Sequence, residues 1–352
     1  MVRVRIERVS KRIYLLRLDD DRTRYFEALW EIPEGVTYNS YVVVGDEGAA
    51  VLDTWKGEFS DMYVEALSRV VDLRDVSQVV VHHMEPDHSG ALPWLLKELG
   101  GRAVVRGHLM VGGMVREFYG IEVRFKPLRD GERYRVAGLE ALFIYTPWLH
   151  WPETSMSYLF EDRVLFSGDA FGMFSIPRAV FDEEGFEVYE AHARKYFADV
   201  VGHYRSFVSR NLDKLDKQGL KVDIIAPLHG VLWRRHVGRI LRLYRELSSG
   251  STKRKALVLY ASMYGDVEKG VRVAVEVLRR EGFEVAVHGF TDRSWPRIGD
   301  VIGDAADSSI IIIGAPIYEN KVFPLITWLL ELIMHKADAE QRALLISSYG
   351  VV

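Results

Sequence analysis

Hydrophobic residues follow a recurring pattern through the first two thirds of the chain. In residues 1–247, short apolar runs such as 41–44 and 50–52 alternate with amphipathic stretches such as 62–71. Short apolar runs are typical of strands, and apolar positions that recur every three or four residues are typical of helices. Because a sheet must bury its apolar face, this alternation predicts two packed sheets with outer helices.

The same patterns predict the other elements of this part. Further strands are expected in five segments: residues 103–105, 122–125, 141–145, 164–166 and 222–225. Two long helices are expected over residues 189–215 and 236–247.

A different pattern begins after residue 255. Residues 256–260 and 310–313 are apolar throughout, and each run precedes a glycine-containing loop and a helical pattern. Strands that helices cover on both faces look like this. The polar stretch 248–255 separates the two patterns. We therefore predict an α/β protein with a first domain over 1–247, a linker over 248–255 and a second domain over 256–352.

Composition narrows the possible partners. The 352 residues include 46 basic and 50 acidic side chains, a net charge of −4, which gives no reason to expect nucleic acid or an anionic membrane as a partner. The first seven residues alternate apolar and charged side chains and lack the apolar core of a signal peptide. With no long apolar run elsewhere, the sequence predicts a cytoplasmic protein.

Cysteine is absent from the sequence. This excludes disulfides, thiolate ligands for iron–sulfur clusters or zinc, and a cysteine nucleophile. Any metal must therefore be held by nitrogen and oxygen atoms.

The densest group of metal-capable side chains follows the apolar run 78–81. His83, Glu85, Asp87 and His88 lie within six residues. In an extended chain, residues two apart face the same side, so the first three can face one cavity while the fourth turns toward its neighbour. That arrangement suits two adjacent metal ions. A solvated turn with chance histidines is the alternative interpretation.

Three further candidates, His150, Asp169 and His229, each follow an apolar strand and precede a turn. A single histidine in such a place is more often a packed or hydrogen-bonded residue than a ligand. Together with the first cluster, however, these residues favour a metal centre.

This set of motifs resembles the metallo-β-lactamase fold, and its spacing is similar to that of the flavodiiron proteins over nearly the whole chain. In the hydrolase branches of that fold, the position of Glu85 usually carries histidine and the metal is zinc. A carboxylate in place of an imidazole gives a harder, more anionic site that suits iron. By resemblance, the first domain is an αβ/βα sandwich that carries a non-haem diiron site.

The resemblance also implies the ligand sets and the activity. One iron would be held by His83, Glu85 and His150, the other by Asp87, His88 and His229, and Asp169 would bridge them. Each iron would keep an open position, where the family reduces dioxygen to water or nitric oxide to nitrous oxide. Tyr196 resembles a residue near the diiron pocket of relatives and is the catalytic candidate, with plain helix packing as the alternative. His82 should point away from the metals.

The second domain resembles the flavodoxin fold, a doubly wound parallel sheet with strand order 2-1-3-4-5 that binds flavin mononucleotide (FMN). Its phosphate loop, ring loop and third loop would supply the FMN contacts: Ser262, Met263, Tyr264, Gly265, Asp266 and Val267, then Ala315, Pro316, Ile317, Tyr318 and Asn320, then Ser348, Tyr349 and Gly350. Asp266 and Val267 stand where the family has hydroxyl residues. The Asp266 carboxylate either caps the following helix, competing with a phosphate, or points outward. The fifth strand and its helices are expected to be missing.

In the family, electrons pass from an external donor through FMN to the irons. The donor would be a separate protein such as rubredoxin or a reduced deazaflavin, and the unit a head-to-tail homodimer or a dimer of dimers. Two other functions stay open. One is a dizinc hydrolase with a remnant flavodoxin domain, in which a metal-activated water attacks an ester or amide. The other is an inactive metal-binding module.

Overall fold

The computed structural model describes residues 2–337 and 339–348. The chain divides into two compact units. The first consists of Met1–Arg24, Pro33–Ala193 and Arg210–Arg242, and the second of Tyr25–Ile32, Arg194–Ser209 and Leu243–Val352. The second unit thus includes two segments from the earlier part of the chain, and its third segment begins at Leu243, before the predicted linker.

Within the described residues the strands are β1 Arg3–Arg8, β2 Ile13–Asp20, β3 Tyr25–Phe26, β4 Trp30–Glu31, β5 Val36–Gly45, β6 Gly48–Leu52, β7 Val76–Val81, β8 Val104–Gly107, β9 Phe125–Pro127, β10 Arg133–Val136, β11 Leu139–Tyr145, β12 Ser155–Leu159, β13 Val164–Phe166, β14 Ile224–Ala226, β15 Lys253–Ala261, β16 Glu284–Phe290, β17 Ser308–Tyr318, β18 Lys321–Val322 and β19 Arg342–Ser348. The α-helices are α1 Ser60–Ser68, α2 Pro86–Ser89, α3 Leu92–Glu98, α4 Val111–Tyr119, α5 Phe186–Tyr196, α6 Arg205–Lys217, α7 Val237–Ser248, α8 Asp266–Arg280, α9 Ile298–Ala305 and α10 Pro324–Lys336.

The first unit is built around two sheets. One has the strand order β1-β2-β5-β6-β7-β8-β9, and the other has the order β10-β11-β12-β13-β14. Apolar side chains of both sheets form one buried cluster, in which the rings of Tyr41 and Phe166 lie 5.1 Å apart. This agrees with the predicted pair of packed sheets. Strands β6 to β9 are parallel, so their carboxyl ends meet at one edge of the first sheet.

The helix predicted over residues 189–215 is interrupted, so that prediction was wrong. Helix α5 ends at Tyr196, a π-helical turn and a 3₁₀ turn follow, and α6 begins at Arg205. At Gly202 a Cβ atom would come within 2.5 Å of the Lys336 carbonyl oxygen, and Lys336 Nζ donates a 2.8 Å hydrogen bond to the Asp199 carbonyl. The close approach of this neighbouring chain, which only a residue without a side chain permits, accounts for the break.

The second unit contains a parallel sheet with strand order β16-β15-β17-β19, and β18 pairs with the end of β17. In chain order this is 2-1-3-4, as the flavodoxin-like order predicts for the first four strands. Helix α8 packs its buried valines on the sheet. Because the strands are parallel, the carboxyl ends of β15, β17 and β19 lie at one edge of the sheet.

None of the helices in the described part of the chain is both long enough and apolar enough to cross a bilayer.

Candidate metal centre

The first motif lies at the carboxyl end of β7. His82 and His83 follow the strand, and Glu85 directly precedes the one-turn helix α2, which Pro86 begins. The predicted extended conformation of this motif therefore holds only as far as Glu85. Proline suits the first turn of a helix because it has no N–H to leave unpaired. The helical turn then directs the next two candidates, Asp87 and His88, to a separate group of donors.

One group of donor atoms comprises His83, Glu85 and His150 together with Asp169. Nε2 of His83 lies 3.2 Å from Oε2 of Glu85, and the same oxygen lies 3.0 Å from Nε2 of His150. The other group comprises Asp87 with two histidines. These histidines are His88 and His229. Their Nε2 atoms lie 3.0 Å apart, and each lies 3.4 Å from Oδ2 of Asp87.

Asp169, three residues after the end of β13, lies between the two groups and faces both through its two carboxylate oxygens. Oδ2 lies 3.1 Å from His150 Nε2 and 3.5 Å from His83 Nε2. Oδ1 lies 2.9 Å from His88 Nε2 and 3.6 Å from His229 Nε2. The structure thus brings all seven predicted ligands together, with one carboxylate oxygen facing each group.

This geometry fits metal ions. Metal bonds of about 2.1 Å at angles between a right angle and the tetrahedral angle place neighbouring donor atoms about 3.0–3.4 Å apart. The observed spacings of 2.9–3.6 Å bracket that range. Both carboxylate oxygens of Asp87 are buried and have no hydrogen-bond partner among the described residues. Buried carboxylate oxygens without a hydrogen bond are rare, and a bound cation would satisfy them.

The same contacts shift the pKa values of the metal-free site. Burial works to lower the pKa of His83, but hydrogen bonds with Glu153 and Glu85 and the charge of Asp169 raise it well above its usual range. Burial also opposes protonation of His150, whose hydrogen bonds with Asp169 and Glu85 raise its pKa to about 9. The pKa of Asp169 is held far below its usual range, because nearby imidazoles outweigh its burial. Cations would therefore displace protons from these imidazoles.

Two groups that orient the candidate ligands were not identified from the sequence. Nδ1 of His83 donates a 3.0 Å hydrogen bond to Glu153, and Nδ1 of His229 donates a 2.7 Å hydrogen bond to the Thr37 carbonyl. Glu153 lies only three residues after His150, which is the one sequence signal that could have indicated it. The Thr37 contact is made by the backbone, so its side-chain type gives no signal.

His82 points away from this cavity, as predicted. Its Nδ1 donates a 2.6 Å hydrogen bond to Asp53, and its Nε2 lies 2.7 Å from the hydroxyl of Ser157, which in turn lies 2.9 Å from the hydroxyl of Tyr134. All four side chains are buried. This chain of hydrogen bonds fixes the backbone next to His83.

Aromatic rings line the remaining sides of the cavity. The ring of Trp151 lies 5.2 Å from that of His83, edge to face, and the ring of Tyr38 lies 5.8 Å from that of His229. Tyr196, the predicted catalytic residue, belongs to the second unit, where it is buried with its ring 6.5 Å from that of Phe26. Its catalytic role stays a prediction.

The predicted phosphate loop leads from β15 into α8. The hydroxyl of Ser262 accepts a 3.0 Å hydrogen bond from the Gly265 N–H, and no side chain caps α8. The carboxylate of Asp266 is largely exposed and forms a 2.9 Å ion pair with Lys269. Of the two alternatives for Asp266, the outward position is therefore observed. The uncapped N–H groups at the start of the helix fit a phosphate.

The other predicted flavin contacts have different surroundings. The side chain of Val267 packs in the core of the second unit, so only its backbone can reach a ligand. The predicted ring loop is a continuation of β17, whose pairing with β18 leaves a tight turn at Glu319 and Asn320. The predicted residues on this strand end are Ala315 and Pro316, which are buried, and Ile317 and Tyr318, which are exposed.

The third predicted loop begins at Ser348, the last residue of β19, and Tyr349 and Gly350 lie outside the described residues. A cavity of about 470 Å³ opens beside the loop after β15. Of the predicted FMN contacts it is lined by Ser262 and Met263, whereas Tyr264 is exposed. Phe290 and Trp295 supply aromatic walls on its other side.

Two packed sheets and a carboxylate–imidazole centre at their strand ends define a β-lactamase-like metal protein. A family model described as the ODP family beta lactamase matches residues 36–230, more than half of the chain. A variant of the flavo di-iron protein from Thermotoga maritima superposes with a TM-score of 0.94 and 37% identity, over 99% of this chain and 88% of that chain. The chain therefore belongs to the flavodiiron proteins of the ODP β-lactamase family.

Two curated relatives carry functional names. The chain is 27% identical over 348 residues to "Nitric oxide reductase" from Moorella thermoacetica, which covers 97% of this chain and 85% of that protein. It is 29% identical over 300 residues to "Coenzyme F420H(2) oxidase" from Methanothermobacter marburgensis, with coverage of 83% and 73%. The predicted incompleteness of the flavodoxin-like domain is not confirmed, because the structural match covers 99% of this chain.

Proposed function

We propose that this protein is an oxidoreductase that reduces dioxygen to water, nitric oxide to nitrous oxide, or both, at a dinuclear iron centre. The observation that carries the proposal is the position of Asp169, whose two carboxylate oxygens each face a different group of donors. A single metal ion needs no such residue. Relatives named as a nitric oxide reductase and as an oxidase support the two substrates.

The distances between the donor atoms of the seven residues support two iron sites. His83, Glu85 and His150 would hold one iron, and Asp87, His88 and His229 would hold the other, with Asp169 between them. When bound, two adjacent ferrous ions supply electrons to a diatomic molecule, which redox-inert zinc cannot do. Three carboxylates and no thiolates make a hard ligand set that suits iron.

The exposure of the ligands indicates the open side of the cavity. The side chains of His83, His88 and Asp169 are fully buried, whereas those of Glu85 and Asp87 are 13% and 11% exposed. A small gas molecule would therefore approach past the two carboxylates. The aromatic rings behind the imidazoles exclude water from the other side.

FMN is the proposed second cofactor, at the edge of the sheet where the carboxyl ends of β15, β17 and β19 lie. The uncapped start of α8 supports phosphate binding there, and the N–H of Val267 would contribute through the backbone. An external donor would reduce the flavin. The relative named for coenzyme F420H2 supports a reduced deazaflavin, and rubredoxin is the alternative donor.

Two expectations from the sequence remain predictions. The head-to-tail homodimer or dimer of dimers is testable by light scattering of the purified protein at several concentrations. A cytoplasmic location is consistent with the lack of a bilayer-spanning helix among the described residues and is testable by cell fractionation.

The decisive experiment is anaerobic reduction of the iron- and FMN-loaded protein, followed by parallel measurements of dioxygen and nitric oxide consumption. We expect turnover with at least one gas and about two irons per chain. Zinc in the native protein together with ester hydrolysis would instead favour the hydrolase. Two bound irons without consumption of either gas would refute the proposed activity.

A further inference from the structure

Glu153 is a fully buried carboxylate that lies behind one candidate ligand. Its Oε1 accepts a 3.0 Å hydrogen bond from Nδ1 of His83 and a 2.9 Å hydrogen bond from the N–H of Met84. An ionised carboxylate can only accept, so Nδ1 of His83 carries the proton. This fixes the imidazole with Nε2 toward the cavity.

The three imidazoles that are fully buried differ in what lies behind them. His83 has a carboxylate at Nδ1, His229 has the neutral carbonyl of Thr37, and Nδ1 of His88 is buried without a hydrogen-bond partner among the described residues. Among the described residues, a carboxylate thus contacts an imidazole of one donor group from behind, and a neutral carbonyl contacts an imidazole of the other. The asymmetry is built into the protein and does not depend on the metal.

The loop that carries Glu153 is held independently of the site. The hydroxyl of Thr154 accepts a 3.1 Å hydrogen bond from the Leu149 N–H and lies 2.6 Å from the carbonyl oxygen of Thr146. These contacts tie residues 146–154 together before any cation binds. The carboxylate is thus placed in advance, and its effect on His83 is present in the metal-free protein.

A carboxylate that accepts the second N–H of an imidazole makes the ligating nitrogen more basic and holds the ring in place. We propose that Glu153 is a positioning residue that makes the site of His83, Glu85 and His150 the tighter of the two iron sites. This rests on the proposed dinuclear centre and goes beyond it, because it ranks the two sites and assigns the cause to a residue that touches neither metal.

The test is anaerobic titration of chelator-treated protein with ⁵⁷Fe(II), with binding constants for both steps and Mössbauer spectra after one and two equivalents. In the wild-type protein the first equivalent should fill one environment and give one quadrupole doublet. Glu153→Gln keeps the shape and a hydrogen-bond acceptor but removes the charge. This variant should weaken the tighter of the two iron-binding steps about 10- to 100-fold and leave the weaker binding step unchanged. It should alter only one of the two quadrupole doublets. Glu140→Gln, the same change at an exposed position of the same unit, should behave as the wild type.

A second pair of variants tests the ranking where Glu153→Gln does not fold. Glu85→Gln should abolish the tighter step and keep the weaker one, whereas Asp87→Asn should do the reverse. Equal weakening of both steps, or none, in Glu153→Gln would overturn the inference, as would loss of the tighter step in Asp87→Asn. Because these measurements need no gas turnover, a wild-type protein that binds two irons but consumes neither gas refutes only the proposed activity.

Discussion

Asp169→Asn is the substitution that tests most directly how the metal-free centre is stabilised. The side chain is fully buried, and its oxygens lie 3.1 Å from His150 and 2.9 Å from His88. Asparagine has almost the same shape but no charge, and its amide nitrogen would face an imidazole that carries a proton. Breaking a buried ion pair by neutralising one partner generally costs about 3–5 kcal/mol.

The raised pKa of His150 gives a second value for the free-energy cost of removing the Asp169 charge. Burial opposes its protonation, and hydrogen bonds with Asp169 and then Glu85 raise its pKa from 6.5 to about 9. Each pKa unit corresponds to about 1.4 kcal/mol, so at about pH 7 the shift contributes about 2–3 kcal/mol to the free energy of unfolding. Because the folded-state pKa is the higher one, this contribution is complete below the unfolded-state pKa and is lost as the pH rises through about 9.

We therefore expect Asp169→Asn to lower the free energy of unfolding of the chelator-treated protein by about 2–3 kcal/mol at about pH 7, and by much less at about pH 10. Urea unfolding followed by tryptophan fluorescence measures this, since Trp55 and Trp233 are fully buried in the first unit. Asp223→Asn breaks an exposed ion pair with Arg163 and should cost at most about 1 kcal/mol. An Asp169→Asn protein as stable as the wild type at neutral pH, or a loss that is the same at both pH values, would refute this reasoning.

Three further substitutions test other parts of the structure. Glu85→His should shift occupancy from iron toward zinc and abolish gas reduction, as metal analysis and gas uptake would show; full activity would contradict the role of the carboxylate. Gly230→Ala should lower the free energy of unfolding by about 1–3 kcal/mol, because φ is 81° and a Cβ would collide with Met173. It should also weaken iron binding at the adjacent candidate ligand, His229. Gly238→Ala, where a Cβ meets open space, is its control in thermal unfolding and iron titration. Asp266→Thr should tighten FMN binding by about 0.3–1 kcal/mol in a fluorescence titration, since it removes a negative charge beside the proposed phosphate site; weaker binding would count against that site.

The predictions from sequence were strongest where metal-capable side chains lie at the ends of predicted strands. The strand ends that carry His150, Asp169 and His229 were recognisable because an apolar run followed by a turn is a local pattern. The structure brings these residues together with His83 and Glu85, and their role as metal ligands stays a prediction. The two packed sheets also followed from patterns that lie within short segments, whereas the strand order of the second unit followed from the resemblance to the flavodoxin fold.

The errors arose where distant segments decide the local structure. The break between α5 and α6 depends on the approach of Lys336 to Gly202, residues far apart in the sequence. The contact of Glu153 with His83 spans 70 residues, and the one-turn helix at Asp87 replaced an expected extended segment. None of these has a periodic signal in the sequence, because each is a tertiary contact or a single turn.

The choice between a hydrolase and an oxidoreductase depends on charge as well as geometry. Four neutral imidazoles and three carboxylates would place a charge of −3 around two divalent ions, and a trivalent state of both ions would add two positive charges in a buried cavity. Each further carboxylate lowers the cost of that change, since buried charge must be compensated locally. With histidine in place of Glu85 the set would carry −2, which suits an ion that never changes its charge. Glu85 also lies on the more exposed side of the cavity. The residue that distinguishes this site from a zinc hydrolase is therefore also one of the two that an entering gas molecule would pass.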